Sequence, residues 1–306
     1  MASQDRDRPV QGHRRHWSLS ALTVNPDTLV RPIGVFDSGV GGLSILRALR
    51  AELPQEDWVY FADSGHAPYG ERDDAHVVGR SRAITQQLRD AHHIKALVIA
   101  CNTATAAAVQ LLRAEHPDLP IIGVEPALKP AVAASQTRRI GVMATRGTLS
   151  SAKFQTLLQS QSSLADFVLQ PCDGLADAIE HQDSDKVNAL CARYAHELGR
   201  FGTAAGHIDT VVLGCTHYPF AQETLRALLG PQVQFLETGE PVARHTHQLL
   251  KTRAIALQNA DHKASLTLLS SGSTAMLEAA AARWLPDKIR PELKQTTAAS
   301  RRGLSA

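Results

Sequence analysis

Short apolar runs separated by stretches of helical periodicity set the texture of the chain from Arg31 onward. Ile33-Gly34-Val35-Phe36 leads into the helical pattern of Leu43 to Leu53. Runs of the same kind recur at Trp58 to Ala62, Ala96 to Ala100, Ile121 to Val124, Ile140 to Ala144, Phe167 to Gln170, Thr210 to Gly214 and Gln234 to Leu236. Each is closed by turn residues and then a helix-like stretch, which is the βαβ wording of a mostly parallel sheet. The pattern predicts an α/β protein, and two ends stand outside it. The first thirty residues, with Arg6, Arg8, Pro9, Arg14, Arg15 and Pro26, carry little apolar periodicity, so residues 1–30 read as a flexible N-terminal extension. Past Trp284 the pattern is lost among Pro286, Lys288, Pro291, Arg301 and Arg302, and residues 286–306 read as a mobile C-terminal tail.

The runs also repeat across the middle of the chain. Ile33-Gly34-Val35-Phe36-Asp37-Ser38-Gly39 is echoed by Ile140-Gly141-Val142-Met143-Ala144-Thr145-Arg146-Gly147, and Leu97-Val98-Ile99-Ala100-Cys101-Asn102-Thr103 by Val211-Val212-Leu213-Gly214-Cys215-Thr216-His217. Two echoes in the same order predict two similar α/β lobes with mostly parallel sheets, related by a pseudo-two-fold axis, with the active site in the interlobe cleft. The first lobe is expected over residues 31–125 plus 236–285 and the second over 126–235. A chain of 306 residues is long enough for two such cores.

Composition narrows the function classes mainly by exclusion. The chain is 43% hydrophobic and 20% charged, yet it has no apolar run long enough to span a bilayer, so a membrane role is set aside. A net charge of +2 without a clustered basic face gives no footprint for nucleic acid. Four cysteines, no CxxC pair and no apolar secretory signal fit free thiols in a reducing cytoplasm.

The echoed cysteines carry the candidate chemistry. In open α/β sheets the carboxyl ends of the strands face the ligand crevice, and Cys101 and Cys215 both follow such a strand. At a helix N-terminus each thiol is expected to sit below its ordinary pKa, because the helix dipole favours thiolate. Two thiols facing each other across a cleft suit racemisation, in which one group removes a proton from one face of a stereocentre and the other returns a proton to the opposite face. Cys172 and Cys191, in segments without an echo, read as inert small hydrophobes. A Cys101–Cys215 disulfide and a zinc site are the less favoured readings, the latter because His217 has no accompanying ligand spacing.

Four segments together carry a family resemblance: Phe36-Asp37-Ser38-Gly39-Val40-Gly41-Gly42, Ala67-Pro68-Tyr69-Gly70, Ala100-Cys101-Asn102-Thr103-Ala104-Thr105-Ala106 and Gly214-Cys215-Thr216-His217-Tyr218-Pro219. They look like the signature segments of bacterial glutamate racemases, in that family's order, over about Arg31 to Trp284. Within the wider aspartate/glutamate racemase superfamily, Cys-Asn-Thr-Ala-Thr with Cys-Thr-His resembles the glutamate branch. The resemblance implies that Cys101 acts on the D-enantiomer and Cys215 on the L-enantiomer, with no pyridoxal phosphate and no metal, and that the product is D-glutamate for peptidoglycan. It implies substrate contacts at Asp37, Ser38, Pro68, Tyr69, Gly70, Asn102, Thr103, Thr148, Thr216 and His217, and catalytic help from Asp37, His217 and Glu180. Read on its own chemistry, Asp37 also fits a helix N-cap, His217 a loop hydrogen-bonder and Glu180 a solvated helix residue.

Two local features bear on this reading. Gly39-Val40-Gly41-Gly42-Leu43-Ser44 has serine where the dinucleotide fingerprint needs its last glycine, which excludes a nicotinamide enzyme. Glu237-Thr238-Gly239-Glu240 departs from the Asp-Ser-Gly-like segment common in the family. The arginines of the extension fit either a disordered tail or a contact for an anionic effector, since some relatives with extensions respond to a wall-precursor nucleotide. A homodimer is an expectation from the resemblance alone. The rival readings are a racemase for aspartate or another acidic amino acid, and a bilobal module that binds an amino acid without turning it over.

Overall fold

The structure, a computed structural model, describes residues 26–257, 259, 261–285 and 292–295. Its strands are β1 (Ile33–Asp37), β2 (Trp58–Ala62), β3 (Ala96–Ile99), β4 (Ile121–Gly123), β5 (Arg139–Ala144), β6 (Asp166–Pro171), β7 (Thr210–Leu213), β8 (Gln234–Leu236), β9 (Leu266–Ser270) and β10 (Glu292–Gln295). They form two sheets, ordered β10-β9-β2-β1-β3-β4 and β6-β5-β7-β8. Every described pairing is parallel. Helices cover both faces of each sheet, so β1 and β2 are buried at every position and read as continuous apolar runs instead of alternating ones.

The echo seen in the sequence is a repeat of topology. The order β2-β1-β3-β4 in the first sheet matches β6-β5-β7-β8 in the second. Ile33 stands beside Ala96, and its counterpart Ile140 stands beside Thr210. Counting on from those partners reaches Cys101 and Cys215 at the same step, so the two thiols occupy equivalent strand ends. In the first lobe, the helices Leu43–Glu52, Gly239–Thr252 and Thr274–Trp284 bury one sheet face, and Asp74–His92 with Asn102–Glu115 bury the other. The second lobe has the matching pair of apolar clusters.

The boundaries differ from the sequence reading at three places. Leu236 belongs to β8 of the second sheet, so the chain returns to the first lobe one residue later than expected. Within the extension, Pro26–Leu29 is helical, and the buried Lys95 ammonium donates to the Leu29 carbonyl at 2.6 Å while pairing with Glu56 at 2.5 Å. Within the tail, Glu292–Gln295 forms β10, paired with β9, which itself extends the first sheet beyond β2. Glu-Leu-Lys-Gln has no apolar signal, because an edge strand is held by backbone pairing, which side-chain patterning does not encode. The remainder of both terminal readings, residues 1–25, 286–291 and 296–306, lies outside the described residues.

Candidate active site

A cavity of about 150 Å³ lies between the two lobes, and it is lined by both Cys101 and Cys215. Ser38, Pro68, Tyr69, Gly70, Asn102, Thr103, Glu180, Thr216 and His217 also line it. Of the residues read from sequence, Asp37 and Thr148 stand one layer behind. Asp37 is fully buried, with Oδ2 accepting from the Gly42 N–H at 2.5 Å and the Thr216 hydroxyl at 3.3 Å. Its Oδ1 is buried without a hydrogen-bond partner. Burial raises its carboxyl above the ordinary range, opposed by His217 and reinforced by the negative charge of Glu180. Thr148 lies at 2.9 Å from the Thr145 hydroxyl and 3.4 Å from that of Thr103.

The surroundings of the two thiols differ. Cys101 is the N-cap of the helix Asn102–Glu115; its sulfur accepts from the Ala104 N–H at 3.4 Å and lies 3.8 Å from the Ser38 hydroxyl. The expectation of a lowered pKa fails here: burial pushes the thiol well up, with the Asp37 charge adding to it, and the helix N-terminus does not compensate. Cys215 follows β7 but does not start an α-helix, since a 3₁₀ turn, Tyr218–Ala221, precedes the helix Gln222–Leu229. Cys215 therefore caps no α-helix, and its polar neighbour is a side chain. Nδ1 of His217 lies 3.8 Å from the Cys215 sulfur, and Nε2 lies 2.8 Å from Oε2 of Glu180.

Glu180 is not the solvated helix residue that its amphipathic surroundings suggest; it is 5% exposed. It also accepts from the Val40 N–H at 2.8 Å and the Ser64 hydroxyl at 2.6 Å. Burial alone would raise its carboxyl, but the bonds from His217, Ser64 and Val40 outweigh that and hold it below the ordinary range. Burial opposes the imidazolium as well, and the contacts with Cys215 and Glu180 outweigh it, so His217 titrates well above its usual value. A protonated imidazole between a carboxylate and a sulfur at the cavity wall is an arm with the chemistry to exchange a proton there.

The glycine-rich turn after β1 makes room for that arm. A Cβ on Gly39 would lie 2.2 Å from the Glu180 carboxylate, and one on Gly41 would lie 2.3 Å from the His217 ring. These glycines permit a close approach between lobes, not a phosphate cradle. On the other side of the cavity, the Thr103 hydroxyl meets Thr145 of the second lobe at 3.0 Å. Both side-chain polar atoms of Asn102 are buried and unpartnered beside the cavity, a donor and an acceptor open to a polar ligand. The wall Pro68–Gly70 is held from behind by Asp63, which accepts from the Tyr69 hydroxyl at 2.5 Å and from Arg80 through two bonds of 2.9 Å.

Sequence reasoning missed Ser64, Thr145 and Cys172, all of which line the cavity. Thr145 was legible as the echo of Ser38, and Ser64 and Cys172 as residues just past the ends of β2 and β6. All four cysteines are free. Among the described residues there is no group of three or more His, Cys, Asp and Glu side chains that could hold a metal ion, and no helix long and apolar enough to cross a membrane.

Comparison with known proteins gives consistent results at three levels. Residues 43–246 match the family described as Asp/Glu/Hydantoin racemase. The chain is 47% identical over 254 residues to the glutamate racemase of Ralstonia nicotianae, covering 83% of this chain and 89% of that protein. A crystal structure of a glutamate racemase isoform from Bacillus anthracis superposes with a TM-score of 0.75 at 29% identity, over 87% of this chain and 97% of that one. The Escherichia coli glutamate racemase, solved in complex with L-glutamate and the activator UDP-MurNAc-Ala, superposes with a TM-score of 0.73 at 28% identity, over 87% and 98% of the two chains.

Proposed function

The chain belongs to the Asp/Glu/Hydantoin racemase family, and on that footing we propose that it is a pyridoxal-phosphate-independent glutamate racemase in which Cys101 and Cys215 are the two acid/base groups. The observation that carries this reading is the arrival of two topologically equivalent thiols, one from each lobe, in one small cavity. A module that only binds an amino acid gains nothing from such a pair.

In the L to D direction, the Cys215 thiolate takes the α-proton, and the Cys101 thiol delivers its own proton to the opposite face of the carbon. The proton balance leaves Cys215 as thiol and Cys101 as thiolate, ready for the reverse reaction. Cys101, held protonated by burial and by Asp37, is prepared as the acid. The Glu180–His217 pair serves Cys215, and His217 can relay its proton at Nδ1. Removing the α-proton is steeply uphill for a thiolate, so charge developing on the substrate must be met by fixed donors in a water-poor site. Asn102, Thr103, Thr145 and the backbone N–H groups of the loop ends can hold the carboxylates. Asp37, behind Ser38 and Thr216, supplies negative charge toward the α-ammonium.

The proposal extends to biology: D-glutamate made in the cytoplasm for peptidoglycan, by a homodimer that responds to a wall-precursor nucleotide. The E. coli relative was solved with such an activator. Removal of the residues before Arg31 is expected to abolish that response here, and an undiminished response would remove the extension from the reading. The primary test is chiral analysis of L- and D-glutamate with the purified protein in deuterated water and no added cofactor. Interconversion from both sides with deuterium at Cα is expected. Binding without exchange would favour the binding module, and faster turnover of aspartate would move the assignment to another acidic substrate.

A further inference from the structure

Glu180 belongs to the second lobe, yet two of its three hydrogen-bond donors come from the first. The Val40 N–H arrives from the turn after β1, and the Ser64 hydroxyl from the short turn after β2. His217, the third donor, is from the second lobe. Oε2 is shared by Val40 and His217, and Oε1 is taken by Ser64. Negative charge already stands nearby, because the buried carboxyl of Asp37 feels that of Glu180. A buried carboxylate beside another needs its acceptor positions filled to remain ionised and fixed in direction. Gly39 and Gly41, which leave no room for a side chain against Glu180 and His217, keep the first lobe close enough to supply those donors.

We propose that Ser64 is a positioning residue for racemisation: with the Val40 N–H it completes the donor set around Glu180 from the opposite lobe, so that the His217–Cys215 arm is competent only when the lobes meet as they do here. The inference rests on the racemase reading and deepens it. Closing the lobes on the substrate would then do two things, excluding water and assembling the acid/base arm, so that binding and chemistry are coupled. Ser64 does not act on the substrate carbon; it acts through Glu180 and His217.

The effect of such a residue falls on turnover and leaves affinity nearly unchanged. Where chemistry is slow, KM approximates the dissociation constant, and loss of an interaction needed only for the reaction lowers kcat and kcat/KM together. The experiment compares the intact wild-type chain with Ser64→Ala, Ser64→Thr, Glu180→Gln and the double variant Ser64→Ala with Glu180→Gln, by circular dichroism of L-glutamate and D-glutamate turnover. Ser64→Ala is expected to lower kcat roughly tenfold, with KM within about twofold, in keeping with the loss of one hydrogen bond to a charged group. Ser64→Thr, which keeps the hydroxyl, is expected to recover most of that loss. In the Glu180→Gln background Ser64→Ala is expected to add little, because both changes break one chain of contacts. An unaltered kcat in Ser64→Ala, a Ser64→Thr as slow as the alanine variant, or a full additional loss in the double variant would each overturn the proposal while leaving an active wild type as a racemase. A wild type that fails to turn over glutamate would overturn both.

Discussion

Cys101 and Cys215 are equivalent by topology and unlike by chemistry. One is a helix cap beside a buried carboxylate, and the other is coupled to a histidine with its own carboxylate. Both are needed in a two-base mechanism, so Cys101→Ala and Cys215→Ala are each expected to lower racemisation by at least about a thousandfold, the upper part of the range for loss of one acid or base. Circular dichroism and thermal melts should show both variants folded. Substantial racemisation by both single variants would end the two-base description. Because the enantiomers are equal in energy, kcat/KM must be the same in both directions, so a one-sided defect can appear only in kcat and KM separately.

At the scale of elements, two loops determine the shape of the site. The turn Ser38–Gly42 accepts the Glu180–His217 arm, and Gly41→Ala would drive a methyl group into the imidazole. That variant is expected to lose most turnover and about 1–3 kcal/mol of stability from overpacking, measurable by denaturant titration. Wild-type activity in it would show that the arm can move aside without cost. The second loop, Asp63 to Glu71, depends on Asp63. Burial would raise the Asp63 carboxyl, but bonds from Arg80, Ser271 and Tyr69 outweigh this and hold it below its ordinary value. Its contribution to stability is therefore present above the unfolded carboxylate value of about 4 and is lost as pH falls through the lower, folded one. Asp63→Asn is expected to cost roughly 1.5–3 kcal/mol at neutral pH, the worth of hydrogen bonds to a charged group. The gap to wild type should narrow below about pH 4. A gap of constant size across that interval would refute the linkage.

On the scale of the whole molecule, the two lobes meet through polar contacts around the cavity and through an apolar contact, where Phe220 of the second lobe stacks on Trp284 of the first with ring centroids 4.2 Å apart. A ligand gripped between lobes favours their closed arrangement over every open or unfolded one. Glutamate at about one hundred times its dissociation constant is expected to stabilise the fold by roughly 2.7 kcal/mol, which corresponds to several degrees in Tm for a chain of this size. Either enantiomer should give the shift in the Cys101→Ala variant, which retains the cavity. No shift at saturation would mean that the lobes do not close on glutamate.

The sequence alone determined the α/β class, the internal repeat and the two thiols, since all three are written locally. Buried parallel strands need continuous apolar runs, and a repeated unit repeats its wording. Of the cavity residues named from the four motifs, Ser38, Asn102, Thr103, Thr216 and His217 were legible for the same reason, each standing just past a strand, whereas Pro68, Tyr69 and Gly70 lie farther along the loop after β2 and were reached only through the family resemblance. Tertiary structure alone decided that Cys101 is pushed toward the thiol, that Glu180 is buried and paired, that Asp37 stands behind the cavity, and that Ser64 reaches across the cleft. It also decided the edge strand Glu292–Gln295. These properties depend on desolvation, on charges from distant segments and on backbone pairing. None of them is carried by the spacing of residues along one stretch of chain, because each arises only where the lobes exclude water and bring unrelated strand ends within hydrogen-bonding distance.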